Sequence, residues 1–308
     1  MSSRKIFILD AFHPAGVEFA AQHAEVIRWD DPKVGHWAEE ADGVMVRMTR
    51  IGAADLARAK KLKVICKQGV GVDTIDLEAA RARGIPVCRT PGVNSEAVAE
   101  MALTLGLSAA RRTAELDRMV RAGAKIERPK VLGIEMWQKT VGVVGMGAIG
   151  RRVAQKWHGA FEARICFFDP YAAEEKYRKF SRLEDMLPEV DLLTLHAPLT
   201  AETRGMIGKG RLELMKPTAI LINTSRGGIV DETALYDALK AGRLVGAGLD
   251  VWEIEPPSKD NPLLRLPNVV ATPHASGGTR ETQERSSLQV ARQVIEVLNG
   301  KPPQNRVA

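Results

Sequence analysis

Cysteine is scarce in this sequence. Only Cys66, Cys88 and Cys166 occur among 308 residues. Their number is odd, their spacing is wide, and no Cys-x-x-Cys or paired His accompanies them. That excludes a disulfide framework and a zinc site, and leaves three reduced thiols of a cytosolic chain. Long apolar runs are also missing; none approaches the roughly 20 residues of a membrane span. The N-terminal run Ile6-Phe-Ile-Leu9 ends at Asp10, too short for a signal-peptide core. No basic run is interleaved with aromatics, which make up only 5% of the chain. Basic pairs such as Lys60-Lys61, Arg111-Arg112 and Arg151-Arg152 are scattered among acidic residues. The net charge of +6 therefore reads as a solvated surface with some pull on anionic substrates, and nucleic-acid binding is not expected.

What the sequence has is alternation. A chain of this length is too long for one comfortable core, so two domains are expected. Short runs rich in Val and Ile predict strands at Lys5–Leu9, Glu25–Arg28, Val44–Arg47, Val64–Cys66 and Val87–Arg89. A second set falls at Thr140–Val144, Arg164–Phe168, Asp191–His196, Ala219–Asn223, Leu244–Asp250 and Val269–Thr272. Nearly continuous apolar character marks strands buried on both faces of a parallel sheet. Amphipathic segments lie between them, among them Leu77-Glu-Ala-Ala-Arg-Ala-Arg stopped by Gly84 and Glu232–Ala241 stopped by Gly242. Strand–helix alternation predicts βαβ units, hence α/β architecture with two doubly wound parallel-sheet domains. Two long helical patterns, Asn94–Ala122 and Arg280–Leu298, fall where each strand set ends. They predict a discontinuous first domain, residues 1–97 completed by 282–308, around a second at 98–281.

Gly145-Met-Gly147-Ala-Ile-Gly150 sits between a predicted strand and a predicted helix. A further strand ends at Asp169, nineteen residues past Gly150. This is the dinucleotide fingerprint: Gly145 for the turn, Gly147 for backbone approach to a pyrophosphate, Gly150 for helix-on-strand packing. Asp169 is placed to accept from ribose hydroxyls and to repel the extra phosphate of NADP, so NAD is the expected cofactor. Three further residues follow strand ends, where ligands of open α/β sheets bind. Arg226 in Asn-Thr-Ser-Arg-Gly-Gly offers a planar fork to a carboxylate. His274 in Thr-Pro-His can carry a proton to a carbonyl oxygen. Glu255 in Glu-Pro-Pro is a carboxylate that would orient an imidazole and favour its charged form. Singly, each also fits a structural ion pair, a satisfied His or a loop charge; together, behind a cofactor loop, they point to hydride transfer to a keto acid.

Long motifs resemble the D-isomer-specific 2-hydroxyacid dehydrogenase family over nearly the whole chain. They are Gly69-Val-Gly-Val-Asp73, Thr90-Pro-Gly-Val-Asn-Ser, Val98-Ala-Glu100, Asn223-Thr-Ser-Arg-Gly-Gly-Ile-Val-Asp-Glu232, Gly248-Leu-Asp-Val-Trp-Glu-Ile-Glu-Pro256 and Thr272-Pro-His274. The resemblance implies a Rossmann NAD-binding domain and a flavodoxin-like substrate domain. It implies Arg226, Glu255 and His274 as the catalytic trio. It implies cofactor contacts at Gly145, Gly147, Ala148, Ile149, Gly150, Asp169, Ala197, Thr224, Ser225, Asp250, Ala275, Ser276 and Gly277. It implies that Val70 and Gly71 offer N–H groups to the substrate carboxylate; Arg47, at a strand end, is expected from its place as a further substrate contact. A homodimer and domain closure over a small 2-oxo or 2-hydroxy acid complete what it implies; a cytoplasmic location is expected from the reduced thiols, and no metal is expected. Arg47 and Lys67 suit a second anionic group such as a phosphate, while Met48 nearby suits an apolar pocket. The regulatory extension of some phosphoglycerate dehydrogenases is expected to be absent after Gly300, and Ala122-Gly-Ala-Lys-Ile-Glu lacks the Gly-Lys-Trp common there. Two other readings fit the scaffold: a dehydrogenase of another small anion such as formate or phosphite, and a dinucleotide-sensing corepressor.

Overall fold

The computed structural model describes residues 4–173 and 176–308. Met1, Ser2 and Ser3, on which part of the signal-peptide reading falls, lie outside the described residues. The chain divides into two units, Met1–Asn94 with Gly278–Ala308 and Ser95–Gly277.

In the first unit, β1 (Lys5–Ile8), β2 (Glu25–Ile27), β3 (Gly43–Val46), β4 (Val64–Lys67) and β5 (Val87–Cys88) form one sheet in the order β2-β1-β3-β4-β5. All pairings are parallel. β3 and β4 are buried at every position, because helices cover both faces. On one face lie Ile6, Ile8, Met45 and Val64 against Val290 and Val294 of the Arg280–Leu298 helix. On the other lie Phe7, Val44 and Ile65 against Trp37, Leu56 and Leu62. The Pro14–Ala21 helix packs on Arg280–Leu298 so closely that a Cβ on Gly16 would meet Ser287 Oγ at 2.0 Å. Only glycine admits that approach.

The second unit holds β6 (Thr140–Val144), β7 (Arg164–Phe168), β8 (Arg178–Phe180), β9 (Leu192–Leu195), β10 (Ile220–Asn223), β11 (Gly246–Leu249) and β12 (Val269–Ala271). Their order is β12-β11-β10-β9-β6-β7-β8, again all parallel. The order reverses between β6 and β9, the switch point where open α/β sheets bind ligands. Glycines let the Ser95–Ala110 helix sit against this sheet. A Cβ on Gly248 would lie 2.7 Å from Leu105 Cβ, and one on Gly106 would lie 2.8 Å from the Trp157 ring.

Four sequence expectations need adjustment. β8 escapes the strand pattern, because Arg178-Lys-Phe carries one apolar residue in three. The pattern Asn94–Ala122 is two helices, Ser95–Ala110 and Thr113–Arg121. The break is Arg112 at φ 53°. Its guanidinium bonds both Glu115 oxygens at 2.8 Å, and the Ile134 N–H takes the Ala110 carbonyl at 2.7 Å. The Glu232–Ala241 helix ends one residue early, at Lys240. Several strands also stop early. Arg47, His196, Asp250 and Thr272 each stand one residue beyond the ladder, where the backbone turns into the loops described below.

Trp157 fills the junction of the Ala148–Phe161 helix, the Ser95–Ala110 helix and β9, and is fully buried. Trp157→Ala leaves a cavity there and is expected to cost about 3–5 kcal/mol. A lowered urea midpoint checks this; a midpoint at the wild-type value would mean that the surroundings collapse to fill the space.

Candidate active site

The turn after β6 is made of two close approaches and one open position. Gly145 has φ 89°, and a Cβ on it would lie 2.7 Å from the His196 carbonyl oxygen. A Cβ on Gly150 would lie 2.0 Å from the Gly145 carbonyl oxygen, whereas one on Gly147 would meet nothing. The outer side of the loop is therefore open to a ligand. Ala148 and Ile149 begin the following helix, which carries no side-chain cap at its N-terminus, so free N–H groups face an incoming anion.

Asp169 is held beside this loop. Its Oδ2 accepts from Met146 N–H at 2.7 Å, and its Oδ1 from Tyr171 and Ala172 N–H at 2.8 and 3.1 Å. A carboxylate has about four lone-pair positions, so capacity for a further donor remains. Ala197 follows His196 at the end of β9. Two shielded polar atoms stand at neighbouring strand ends without a described partner: His196 Nδ1 and Thr224 Oγ1. An open glycine, an uncapped helix start, an oriented acceptor and orphaned polar atoms fit a dinucleotide.

At the end of β10 the buried Asn223 amide folds the turn. Its Oδ1 accepts from Ser225 N–H at 3.0 Å and from Ser225 Oγ at 2.7 Å, and its Nδ2 donates to the Arg226 carbonyl at 2.9 Å. Arg226 is thereby carried out of the strand half-buried, its Nη1 donating to the Ser225 carbonyl at 2.6 Å. From the sequence Asn223 reads as the last residue of a strand. The Asn-x-Ser spacing of an Asx turn was the available signal.

β11 and β12 are the next neighbours in the sheet, and their loops bring His274 and Glu255 into contact. His274 Nδ1 lies 2.6 Å from Glu255 Oε2, and Glu255 Oε1 accepts from Trp252 N–H at 3.1 Å. Nδ1 bound to the carboxylate leaves Nε2 as the atom that carries or receives a proton. His274 sits at φ 55°, a conformation that a non-glycine residue keeps only when its surroundings enforce it.

Asp250 supplies much of that enforcement. It is fully buried, its carbonyl accepts from His274 N–H at 2.7 Å, and its carboxylate takes four donors. These are Thr272 Oγ1 at 2.6 Å, Ala275 N–H at 2.8 Å, Ser276 N–H at 2.9 Å, and Ser276 Oγ. Expected among the cofactor contacts, Asp250 turns its carboxylate to the loop that carries His274, Ala275, Ser276 and Gly277.

Arg47, Val70 and Gly71 stand in the first unit. Asp10, just beyond β1, binds the backbone N–H groups of Arg47, Met48 and Thr49 at 2.6, 3.1 and 3.0 Å, and Thr49 Oγ1 at 2.9 Å. This fixes the loop at the β1–β3 switch point. Asp10 was not singled out from the sequence. Lys67, nearly buried, donates to the Arg47 carbonyl. Gly69, at φ 108°, opens the Val70-Gly71 loop and is pinned by Thr90 Oγ1 at 2.8 Å. Among the described residues no group of His, Cys, Asp and Glu could hold a metal ion, and no helix is long and apolar enough to cross a membrane.

Residues 103–276 match the family model described as D-isomer specific 2-hydroxyacid dehydrogenase, NAD binding domain. A D-3-phosphoglycerate dehydrogenase of Archaeoglobus fulgidus is 45% identical over 86% of this chain and 51% of its own length, so the chain spans about half of that relative. A glyoxylate reductase of Korarchaeum cryptofilum is 40% identical over 98% of this chain and 95% of its own. A crystal structure of a protein from Thermus thermophilus superposes with a TM-score of 0.91 at 40% identity, covering 99% of this chain and 100% of that one.

Burial pushes the His196 imidazole down to about 3 from its ordinary 6.5. Between those values the unfolded chain takes a proton that the folded chain refuses. Stability is thus full above about 6.5 and drains away as pH falls toward 3. His196→Gln removes this contribution to acid sensitivity. Urea midpoints followed from neutral into acid should fall less steeply in the variant; equal slopes would mean that the folded protein protonates His196.

Proposed function

Because this chain belongs to the D-isomer specific 2-hydroxyacid dehydrogenase family, we propose that it is an NAD-dependent oxidoreductase acting at C2 of a small D-2-hydroxy acid or its 2-oxo acid. The observation that carries the reading is the contact of His274 Nδ1 with Glu255, whose loop follows β11, the strand next to the one that presents Arg226. The cofactor, when bound, would supply the hydride as NADH in reduction and accept it as NAD+ in oxidation. Gly145, Gly147, Gly150 and the helix start at Ala148-Ile149 would hold its phosphates, and Asp169 its ribose. Ala197, Thr224, Ser225 and the Ala275–Gly277 loop would line the rest of the cofactor.

Arg226 grips the substrate carboxylate and keto oxygen through its planar fork, which suits the charge that develops on oxygen. In reduction His274 Nε2 donates its proton to that oxygen; in oxidation it removes the hydroxyl proton. Glu255 holds the ring in one orientation and stabilises the imidazolium in either direction. Asn223 positions Arg226, and Asp250 positions His274. Arg47, in the loop fastened by Asp10, would bind a second anionic group of the substrate, and Val70 and Gly71 would offer N–H groups to its carboxylate. We propose a homodimer in the cytoplasm.

The test is NADH consumption with glyoxylate, hydroxypyruvate, pyruvate and 3-phosphohydroxypyruvate. Turnover of at least one is expected, and turnover of none overturns the reading. On the best substrate, Arg226→Lys should lose roughly 10²-fold or more in kcat/KM, since Lys keeps the charge but not the fork and misplaces the substrate. Near wild-type kinetics would make Arg226 structural.

NADPH should serve worse than NADH. Two like charges about 4 Å apart repel by about 1–4 kcal/mol between bulk water and a protein surface. That is about fivefold to about 700-fold in kcat/KM at roughly 1.4 kcal/mol per decade. Equal kcat/KM for the two cofactors would remove Asp169 from this role.

A further inference from the structure

Two of the three cysteines are neighbours across strands of the first unit. Cys66 in β4 and Cys88 in β5 are register partners in a parallel pairing. Such partners lie about 4.8 Å apart, within the roughly 4.4–6.8 Å between Cα atoms that a disulfide spans. Both side chains are fully buried in the same apolar cluster, beside Ile8, Met45 and Val290. Beside Cys66, Cys88 is drawn below the usual thiol range against the opposing effect of its burial, while burial drives Cys66 well above it. Cys166, in the other unit, has no such neighbour and is pushed up by burial to about 12. One sulfur of the pair is thus predisposed to the thiolate, with a second thiol beside it.

The pair also lies near an edge that can open. β5 has only two residues and is the last strand of its sheet. Its outer side is covered by the C-terminal segment. Val307 N–H donates to the Val87 carbonyl at 2.8 Å, Arg89 N–H to the Asn305 carbonyl at 3.2 Å, and Val87 N–H to the Ala308 carbonyl at 3.4 Å. The edge strand of a sheet and the segment that covers it open at lower free energy than the inner strands, and opening here admits small solutes beside Cys88.

We propose that Cys66 and Cys88 form a reversible dithiol–disulfide site, oxidised by hydroperoxides and restored by low-molecular-weight thiols. The Cys88 thiolate attacks one peroxide oxygen. The O–O bond breaks, the departing hydroxide takes a proton to become water, and Cys88 is left as the sulfenic acid. The Cys66 sulfur displaces that hydroxyl, which leaves as a second water while the S–S bond forms. Two thiols lose two electrons and two protons, and one hydrogen peroxide becomes two waters.

The bond would be felt beyond the pair. Cβ atoms of a relaxed disulfide lie about 3.5–4.5 Å apart, closer than the strand spacing, so closure draws β5 toward β4. β5 runs on to Thr90, whose N–H donates to the Gly69 carbonyl at 2.9 Å and whose Oγ1 accepts from Gly69 N–H. Gly69 opens the Val70-Gly71 loop. A shift there raises KM for the oxo acid more than KM for NADH, a consequence that rests on the function proposed above. Strain of this kind makes the bond easy to reduce.

The experiment uses the whole wild-type protein. It is treated with equimolar hydrogen peroxide, remaining thiols are alkylated in denaturant, and peptides are mapped before and after dithiothreitol. The expected product is a Cys66–Cys88 linked peptide with Cys166 alkylated, fully reversed by the reductant and absent in Cys88→Ser. Three alkylated thiols, a link between two chains, or Cys88 carried on to sulfinic acid without a link would each overturn the site. A linked peptide with an unchanged KM for the oxo acid would leave the redox site standing and remove the Val70-Gly71 loop from substrate binding.

Discussion

The buried carboxylate of Asp250 is the interaction on which the site in the second unit depends. An ion shut away from water is strongly unfavourable unless donors surround it, and here four do. All four come from Thr272, Ala275 and Ser276, the residues flanking His274. Satisfying the charge and shaping the loop are therefore one event. The chain cannot straighten between Thr272 and Ser276 without stranding the carboxylate, and this keeps His274 in its left-handed conformation. Its ring then meets Glu255, which is fixed in turn by the Trp252 N–H, while the Trp252 indole donates to the Thr272 carbonyl at 3.0 Å. The arrangement is closed: each member restrains the next.

The same solution recurs wherever a parallel strand gives way to a functional loop. Successive N–H groups leave the ladder at the carboxyl end and need acceptors. Asp10 gathers those of residues 47–49, Asp169 those of residues 146, 171 and 172, and Asn223 that of Ser225. In each case a short polar side chain just beyond a strand, or in its last position, captures the neighbouring loop. The loop then presents a longer residue or an open backbone: Arg47, the glycine turn, or Arg226. Short side chains lose little rotamer freedom, so the rigid part of each site is built from Asp and Asn and the reactive part from Arg and His.

This division explains what could be read beforehand. The sheets were legible because strands buried on both faces, such as Val64–Lys67 and Leu192–Leu195, are apolar nearly throughout. The glycine turn and the placing of Arg226, Glu255 and His274 after strands were legible because spacing carries that information. β8 was not, since Arg178 and Lys179 are exposed on an edge and only Phe180 is buried. The division of Asn94–Ala122 was not, since helical periodicity continues through Arg111-Arg112. What stops the helix is a distant segment, the Ile134 N–H taking the Ala110 carbonyl. Asp10 and the inward role of Asp250 were hidden for the same reason. An Asp after a strand looks the same whether it faces solvent, a ligand or its own loop, and only tertiary contacts decide which.

Two of the buried polar atoms without a described partner stand at this site. The loops around Asp250, Asp169 and Asn223 meet their polar demands internally, yet Thr224 Oγ1 beside Asn223 and His196 Nδ1 beside Gly145 remain without described partners. Buried polar atoms of that kind are uncommon, and these two stand at the ends of adjacent strands, with Gly147 open beyond the β6 turn. A core that only needed stability would fill such positions with apolar side chains. Retaining a hydroxyl and an imidazole there, at the switch point of the sheet, fits surfaces whose hydrogen bonds are completed by a bound dinucleotide.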